Sequence, residues 1–113
     1  MTSIKIFKNH KNIVCVQCMG HSGYATSGED IVCAGISSIV QTAVLGLLSV
    51  AKINVDLIRD DEAGYLKVKL PQNITEEENH DAQVILTTML CGLSDLRETY
   101  SKYLDLEVIE NVY

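Results

Sequence analysis

The 113-residue chain has no tryptophan, one proline, one phenylalanine and only nine basic side chains. Nine Lys and Arg against fifteen Asp and Glu leave a net charge of −6. That balance lacks the clustered cations that bind phosphate backbones, so no direct nucleic-acid partner is expected. It suits a basic partner, although a charge of that size also serves plain solubility. There is no repeat, no low-complexity tract and no linker, so one domain spanning 1–113 around one core is expected. Nor does an apolar signal segment open the chain: MTSIKIFKNHKN carries Lys5, Lys8 and Lys11, which points to the cytoplasm. An apolar fraction of 47% is ordinary for a globular domain and excludes disorder as the main state.

What the chain does have is four cysteines, Cys15, Cys18, Cys33 and Cys91. Without a signal segment these read as reduced thiols rather than a disulfide framework. Cys15 and Cys18 form a CxxC, but on a strand an odd separation places the two side chains on opposite faces. They therefore share no metal, no second ligand pair exists, and no metal or cofactor is expected. Cys91 falls off the main stripe of a helix, and His10 and His80 have no companions. The acidic run Asp60, Asp61, Glu62 lacks calcium-loop spacing and reads as a solvated hairpin turn.

The order of elements follows from periodicity. Ser3–Phe7 and Ile13–Met19 read as strands joined through the polar stretch 8–12, and Val55–Ile58 and Tyr65–Leu70 as a second pair around Arg59–Gly64. Leu106–Ile109 reads as a last strand. A helix from about Ile31 to about Lys52 carries Ile36, Ile39, Val40, Ala43, Val44, Leu47, Leu48 and Ala51 on one wide stripe. A second helix opens on the capping-box pattern Thr75–Glu78, with Ala82 to Tyr103 spaced by threes and fours. The expected fold is α/β of the α+β type, a small, mainly antiparallel sheet covered by two helices in the order β-β-α-β-β-α-β. Ile31–Ala51 is uncharged and of membrane-spanning length, but Ser37, Ser38, Gln41, Thr42 and Ser49 are too many polar groups for a lipid-exposed span. The amphipathic strands also need a cover, so no membrane partner is expected. Leu45 and Val50 lie off the stripe, which suits a homodimer interface.

Chemistry concentrates between the second strand and the first helix, in Gly20-His21-Ser22-Gly23 and onward through Gly28 to Cys33. Asp30 is a preferred N-cap, which places Cys33 in the first helical turn, where the helix dipole favours a thiolate. Cys33 precedes Ile36 and Val40 on the sheet-facing side, and His21 ends a strand of that sheet. A Cys–His pair is thus available for nucleophilic catalysis. A buried structural cysteine beside an unrelated loop histidine accounts for the same residues.

The run GHSGYATSGEDIVCAGIS resembles the signature of the Prp family, the ribosomal-processing cysteine proteases of certain bacteria. The resemblance continues through Ala82–Leu86 and Met89-Leu90 and covers the chain in order and length. It implies a cysteine endopeptidase that removes the N-terminal extension of a large-subunit ribosomal protein, number twenty-seven, and that forms homodimers. The family's catalytic histidine and cysteine fall on His21 and Cys33, its aspartate on Asp30 and its serine on Ser37. Gly20, Ser22, Gly23 and Gly28 belong to the loop that faces substrate, with Ser22 and Gly35 standing where other small residues are common. Backbone N–H groups at the helix start are the expected oxyanion donors. Asp30 either orients His21 or caps the helix, and Ser37 either contacts the thiol or substrate or is an ordinary surface serine. A non-catalytic ribosome-associated binding module and a thiol-redox protein are the alternatives to a protease.

Overall fold

Along the first strand Thr2, Ile4 and Ile6 are buried and their neighbours half-buried, the period of two that seats one face of a strand on a core. The computed structural model, which describes residues 1–26 and 28–111, contains five strands and two long helices. They are β1 (Thr2–Asn9), β2 (Asn12–Met19), α1 (Ile31–Leu45), β3 (Asp56–Asp60), β4 (Tyr65–Lys69), α2 (Glu76–Thr99) and β5 (Leu104–Glu110). The sheet order is β3-β4-β2-β1-β5, with β1 and β5 parallel and every other pair antiparallel. The α+β architecture and its element order are as the periodicity implies.

The strands are longer than the polar residues suggested. His10 and Lys11 both have positive φ, 51° and 70°, so the β1–β2 turn takes only two residues. That backbone matches the right-handed twist of the flanking strands, and Lys8 and Asn9 stay in the ladder. The register slips between Phe7, opposite Cys15, and Lys8, opposite Ile13, which leaves Val14 as the extra residue of a bulge. The bulge flips side-chain parity, so Ile13 joins Val16 and Cys18 in the core. Beyond it the register is regular: Cys15 opposes Phe7 and Lys69, while Cys18 opposes Ile4 and Leu66. The two thiols therefore occupy opposite faces, both buried, and only Cys18 belongs to the helix-covered core.

Val32, Ile36, Val40, Ala43 and Val44 bury the inner face of α1, joined by Ala82, Leu86, Met89 and Leu93 of α2. Each large side chain buried this way contributes about 1.5–3 kcal/mol. Small residues let the helices approach: a Cβ on Gly35 would meet Leu96 at 3.4 Å, and one on Gly92 would meet Ile39 at 3.4 Å. By length and composition Ile31–Val50 could cross a membrane, yet its inner face is packed on the sheet. Leu48 departs from the expected stripe and is 41% exposed. The helix closes with a π-helical turn, Gly46–Val50, and the i→i+5 bond from Ala51 N–H to Gly46 rotates the register beyond Leu47. The second helix has its capping box, with Thr75 and Glu78 exchanging side chain-to-backbone bonds. It ends at Thr99, so Tyr100 and Tyr103 pack against the core from the connection to β5.

Candidate active site

Strand β2 ends at Met19, and the chain turns at Gly20, whose φ of +88° suits glycine. Eleven residues later α1 starts, with Asp30 as its N-cap. The Oδ1 atom of Asp30 accepts from the amides of Val32 at 3.0 Å and Cys33 at 2.9 Å. Its Oδ2 atom accepts from the Ser22 hydroxyl at 2.6 Å and from the amides of Tyr24 at 3.1 Å and Ala25 at 3.3 Å. One carboxylate thus caps the helix and folds the loop back onto it. Burial alone pushes the Asp30 carboxyl up. The bonds from Ser22, Cys33, Ala25 and Tyr24 outweigh it and hold the group at about 2. Of its two open roles the structure assigns Asp30 the cap; among the described residues it makes no bond to His21.

Cys33 is half-buried in the first turn of α1. Its Sγ accepts from the Ser22 amide at 3.2 Å and lies 3.3 Å from the Ser22 hydroxyl. The sulfur faces a cavity of about 180 Å³ whose wall includes His21, Ser37, Cys18, Ile36 and Leu66. His21 and Cys33 therefore share one cavity, although no hydrogen bond joins them among the described residues. The His21 Nε2 instead sits 3.3 Å from the Glu62 carbonyl oxygen. Ser37 is exposed, and its hydroxyl accepts from the Gln41 amide at 2.6 Å rather than meeting the thiol.

Two expectations change here. The amides of Val32 and Cys33 are committed to Asp30, so they are not free oxyanion donors; the amide directed at the sulfur is that of Ser22. The acidic turn after β3 is also more than a solvated loop, because Asp60, Asp61 and Gly64 form part of the cavity wall. Gly20 N–H donates to the Gly64 carbonyl at 2.9 Å, and Gly64 has a φ of +65°. A Cβ there would lie 2.7 Å from the Gly20 oxygen and 3.0 Å from His21 Cε1. Gly64 was the sequence signal: a lone glycine between an acidic turn and a strand marks close backbone approach. The loop is further held by Tyr24, whose ring meets Tyr100 and Tyr103 edge-on at 5.7 and 5.1 Å. Gly23 and Gly28 have positive φ with open space around them.

The sequence model of the family described as cysteine protease Prp matches residues 1–105 of this chain. The chain belongs to the Prp family. It is accordingly a cysteine protease, which sets aside the binding module and the redox protein as its primary activity. The chain is 27% identical over 113 residues to the ribosomal processing cysteine protease Prp of Bacillus subtilis strain 168, covering 99% of each. It also resembles two crystal structures of an essential ribosomal processing protease Prp from Staphylococcus aureus. One holds a covalently linked product peptide, with a TM-score of 0.86, 28% identity and coverage of 96% of this chain and 99% of that one. The other holds a substrate peptide, with a TM-score of 0.81 at the same identity and coverage. The signature run Gly20–Ser37 is thus the segment that builds the loop, the cap and the first turn around the Prp cavity.

Proposed function

We propose that Cys33 is the nucleophile and His21 the general base with which this Prp protease removes the N-terminal extension of large-subunit ribosomal protein number twenty-seven in the cytosol. The observation that carries this reading is the half-buried Cys33 sulfur facing the cavity that His21 also lines. In the first step His21 accepts the thiol proton and Cys33 attacks the scissile carbonyl carbon. The C–N bond then breaks, His21 returns the proton to the leaving amine, and water hydrolyses the thioester.

Asp30 is unsuited to take that proton, since a carboxyl held at about 2 with both oxygens engaged is a poor base. The His21 imidazole, which lines the same cavity as the thiol, is the suited acceptor because a ring nitrogen can both take and return a proton. Bringing His21 to the sulfur requires loss of its exposed 3.3 Å contact with Glu62. Such a bond is worth about 0.5–1.5 kcal/mol. General-base catalysis typically contributes about 10²–10⁴-fold, so the rate gained exceeds what losing that contact costs.

We also infer a homodimer. Leu45 and Val50 are 61% and 77% exposed on the outer side of α1 and its π turn, and Val84 is 55% exposed on α2. Ile39, Gly46, Val84, Ile85 and Met89 line an apolar groove between the helices, continuous with that surface.

Mass spectrometry of the extended ribosomal protein incubated with the parent, Cys33→Ala and His21→Ala forms tests the assignment. Cleavage by the parent alone is expected, and cleavage by Cys33→Ala refutes it. Sedimentation of the parent beside a Leu45→Asp, Val50→Asp form tests the dimer, which is refuted if the parent runs as a monomer at micromolar concentration.

A further inference from the structure

Ser22 is 2% exposed and presents two groups to the Cys33 sulfur, an amide and a hydroxyl. The amide donates to Sγ at 3.2 Å. The hydroxyl has a single proton, and the Asp30 oxygen 2.6 Å away takes it, because a carboxylate can only accept. What remains toward the sulfur is a lone pair at 3.3 Å. That lone pair accepts the S–H of a thiol. It offers nothing to a thiolate unless the hydroxyl turns and gives up its short bond to Asp30. The Tyr24 amide approaches the same oxygen at 3.4 Å and opposes that turn. The chain Cys33–Ser22–Asp30 is therefore polarised in one direction, each member donating to the next.

We propose that Ser22 is a positioning residue that holds Cys33 as a resting thiol, its proton aimed at the Ser22 oxygen and away from His21. The proposal rests on Cys33 being the nucleophile. On substrate binding the S–H rotates about the Cβ–Sγ bond, and the proton passes to the His21 imidazole. The resulting thiolate keeps the Ser22 amide as its donor. Without substrate the Ser22 acceptor opposes the thiolate that the helix N-terminus favours and keeps the sulfur in its less reactive form, while the Asp30 carboxylate is a fixed anchor that never receives the proton.

Two substrate-free measurements test this, so neither depends on peptide cleavage. The first is the infrared S–H stretching band of Cys33, isolated as the difference between the parent and Cys33→Ala. The second is iodoacetamide alkylation of Cys33 at neutral pH, assigned by peptide mass spectrometry. The parent band is expected at the lowered frequency of a hydrogen-bonded thiol. In Ser22→Ala it should move toward the free-thiol position, and alkylation should rise about three- to tenfold, the worth of one modest hydrogen bond. Ser22→Thr, which keeps the hydroxyl, should alkylate within about twofold of the parent. A parent band at the free-thiol position overturns the proposal, and decides the matter even if Ser22→Ala does not fold. So does unchanged or slower alkylation in folded Ser22→Ala, or a Ser22→Thr rate that rises with it. Failure of the protease assignment is read separately, as cleavage that survives Cys33→Ala.

Discussion

Replacing Gly64 by alanine separates two costs that usually arrive together. The residue has a φ of +65°, where a side chain is strained. Holding a non-glycine residue there costs about 1 kcal/mol, the low end of the range for such conformations. The new Cβ would also stand 2.7 Å from the Gly20 oxygen, a backbone atom already tied to the Gly64 carbonyl through the Gly20 amide. The turn or the end of β2 must therefore shift, adding about 1–2 kcal/mol by analogy with overpacked sites. Gly23 supplies the control, since its φ is +75° but nothing lies within 4 Å of its would-be Cβ. Gly23→Ala should lose about 1 kcal/mol and Gly64→Ala about 2–3 kcal/mol. At about 4 °C per kcal/mol for a chain of this size, the Tm losses are about 4 °C and about 8–12 °C. Because the displaced atoms adjoin His21, Gly64→Ala should also lower kcat at least tenfold with a smaller change in KM. Thermal melts by circular dichroism and steady-state cleavage of a substrate peptide measure both effects. Equal Tm losses for the two variants would refute the close-approach argument, and an unchanged kcat would refute the link to His21.

Further predictions concern pH and the loop. Asp30 is held at about 2 against an ordinary 3.8, burial raising it and the hydrogen bonds lowering it further. Its folded value lies below its unfolded one, so its stabilisation is complete above about pH 4 and is lost as pH falls toward 2. Denaturation at pH 5 and pH 2.5 should show that loss, and Asp30→Asn should flatten it. Burial pushes the Cys18 thiol from 9.0 up to about 12. Here the folded state keeps the proton, so stability is intact below pH 9 and declines as pH rises toward 12. Cys18→Val should flatten that alkaline limb; an unaltered slope would show that other groups set it and would refute the Cys18 contribution. Tyr24→Ala removes two edge-on ring contacts and should cost about 1–2 kcal/mol, with faster hydrogen exchange at the Tyr24 and Ala25 amides. Unchanged exchange would mean that Asp30 alone holds the loop.

The parts of this molecule legible in its sequence are those governed by local rules. The strand run Ser3–Phe7, the Thr75–Glu78 box and the Asp30 cap each depend on residues within a few positions of one another. The capping role of Asp30 explains why Cys33 lands in the first turn, and strand parity was enough to part Cys15 from Cys18. What escaped depends on contacts distant in the chain. The acidic hairpin of residues 59–64 looked like solvent-exposed punctuation because its partner, Gly20, lies more than forty positions earlier. Ser22 looked like one more small loop residue because its neighbours, Asp30 and Cys33, reach it only after the loop folds back. The π turn after Leu45 has no periodic signature, so regular periodicity puts Leu48 on a stripe from which the wider turn rotates it. The helix start suggests oxyanion donors, but the cap that positions the cysteine engages the amides of Val32 and Cys33.

The pairing of β1 with β5 bears on how the molecule comes into being. Thr2 lies opposite Leu104 and Lys8 opposite Glu110, so one flank of an interior strand is closed by a strand synthesised about a hundred residues later. The β1–β2 hairpin can form as soon as it is made, but pairing β1 with β5 requires closing a loop of about a hundred residues, which costs chain entropy. Until then β1 has an open edge, and the Tyr100 and Tyr103 rings that brace the active-site loop lie in the same late segment. Vectorial synthesis thus delays completion of the sheet and of the loop's support until β5 and the segment before it have been made. The segment carrying Cys33 is made early, and the scaffold that steadies it arrives late.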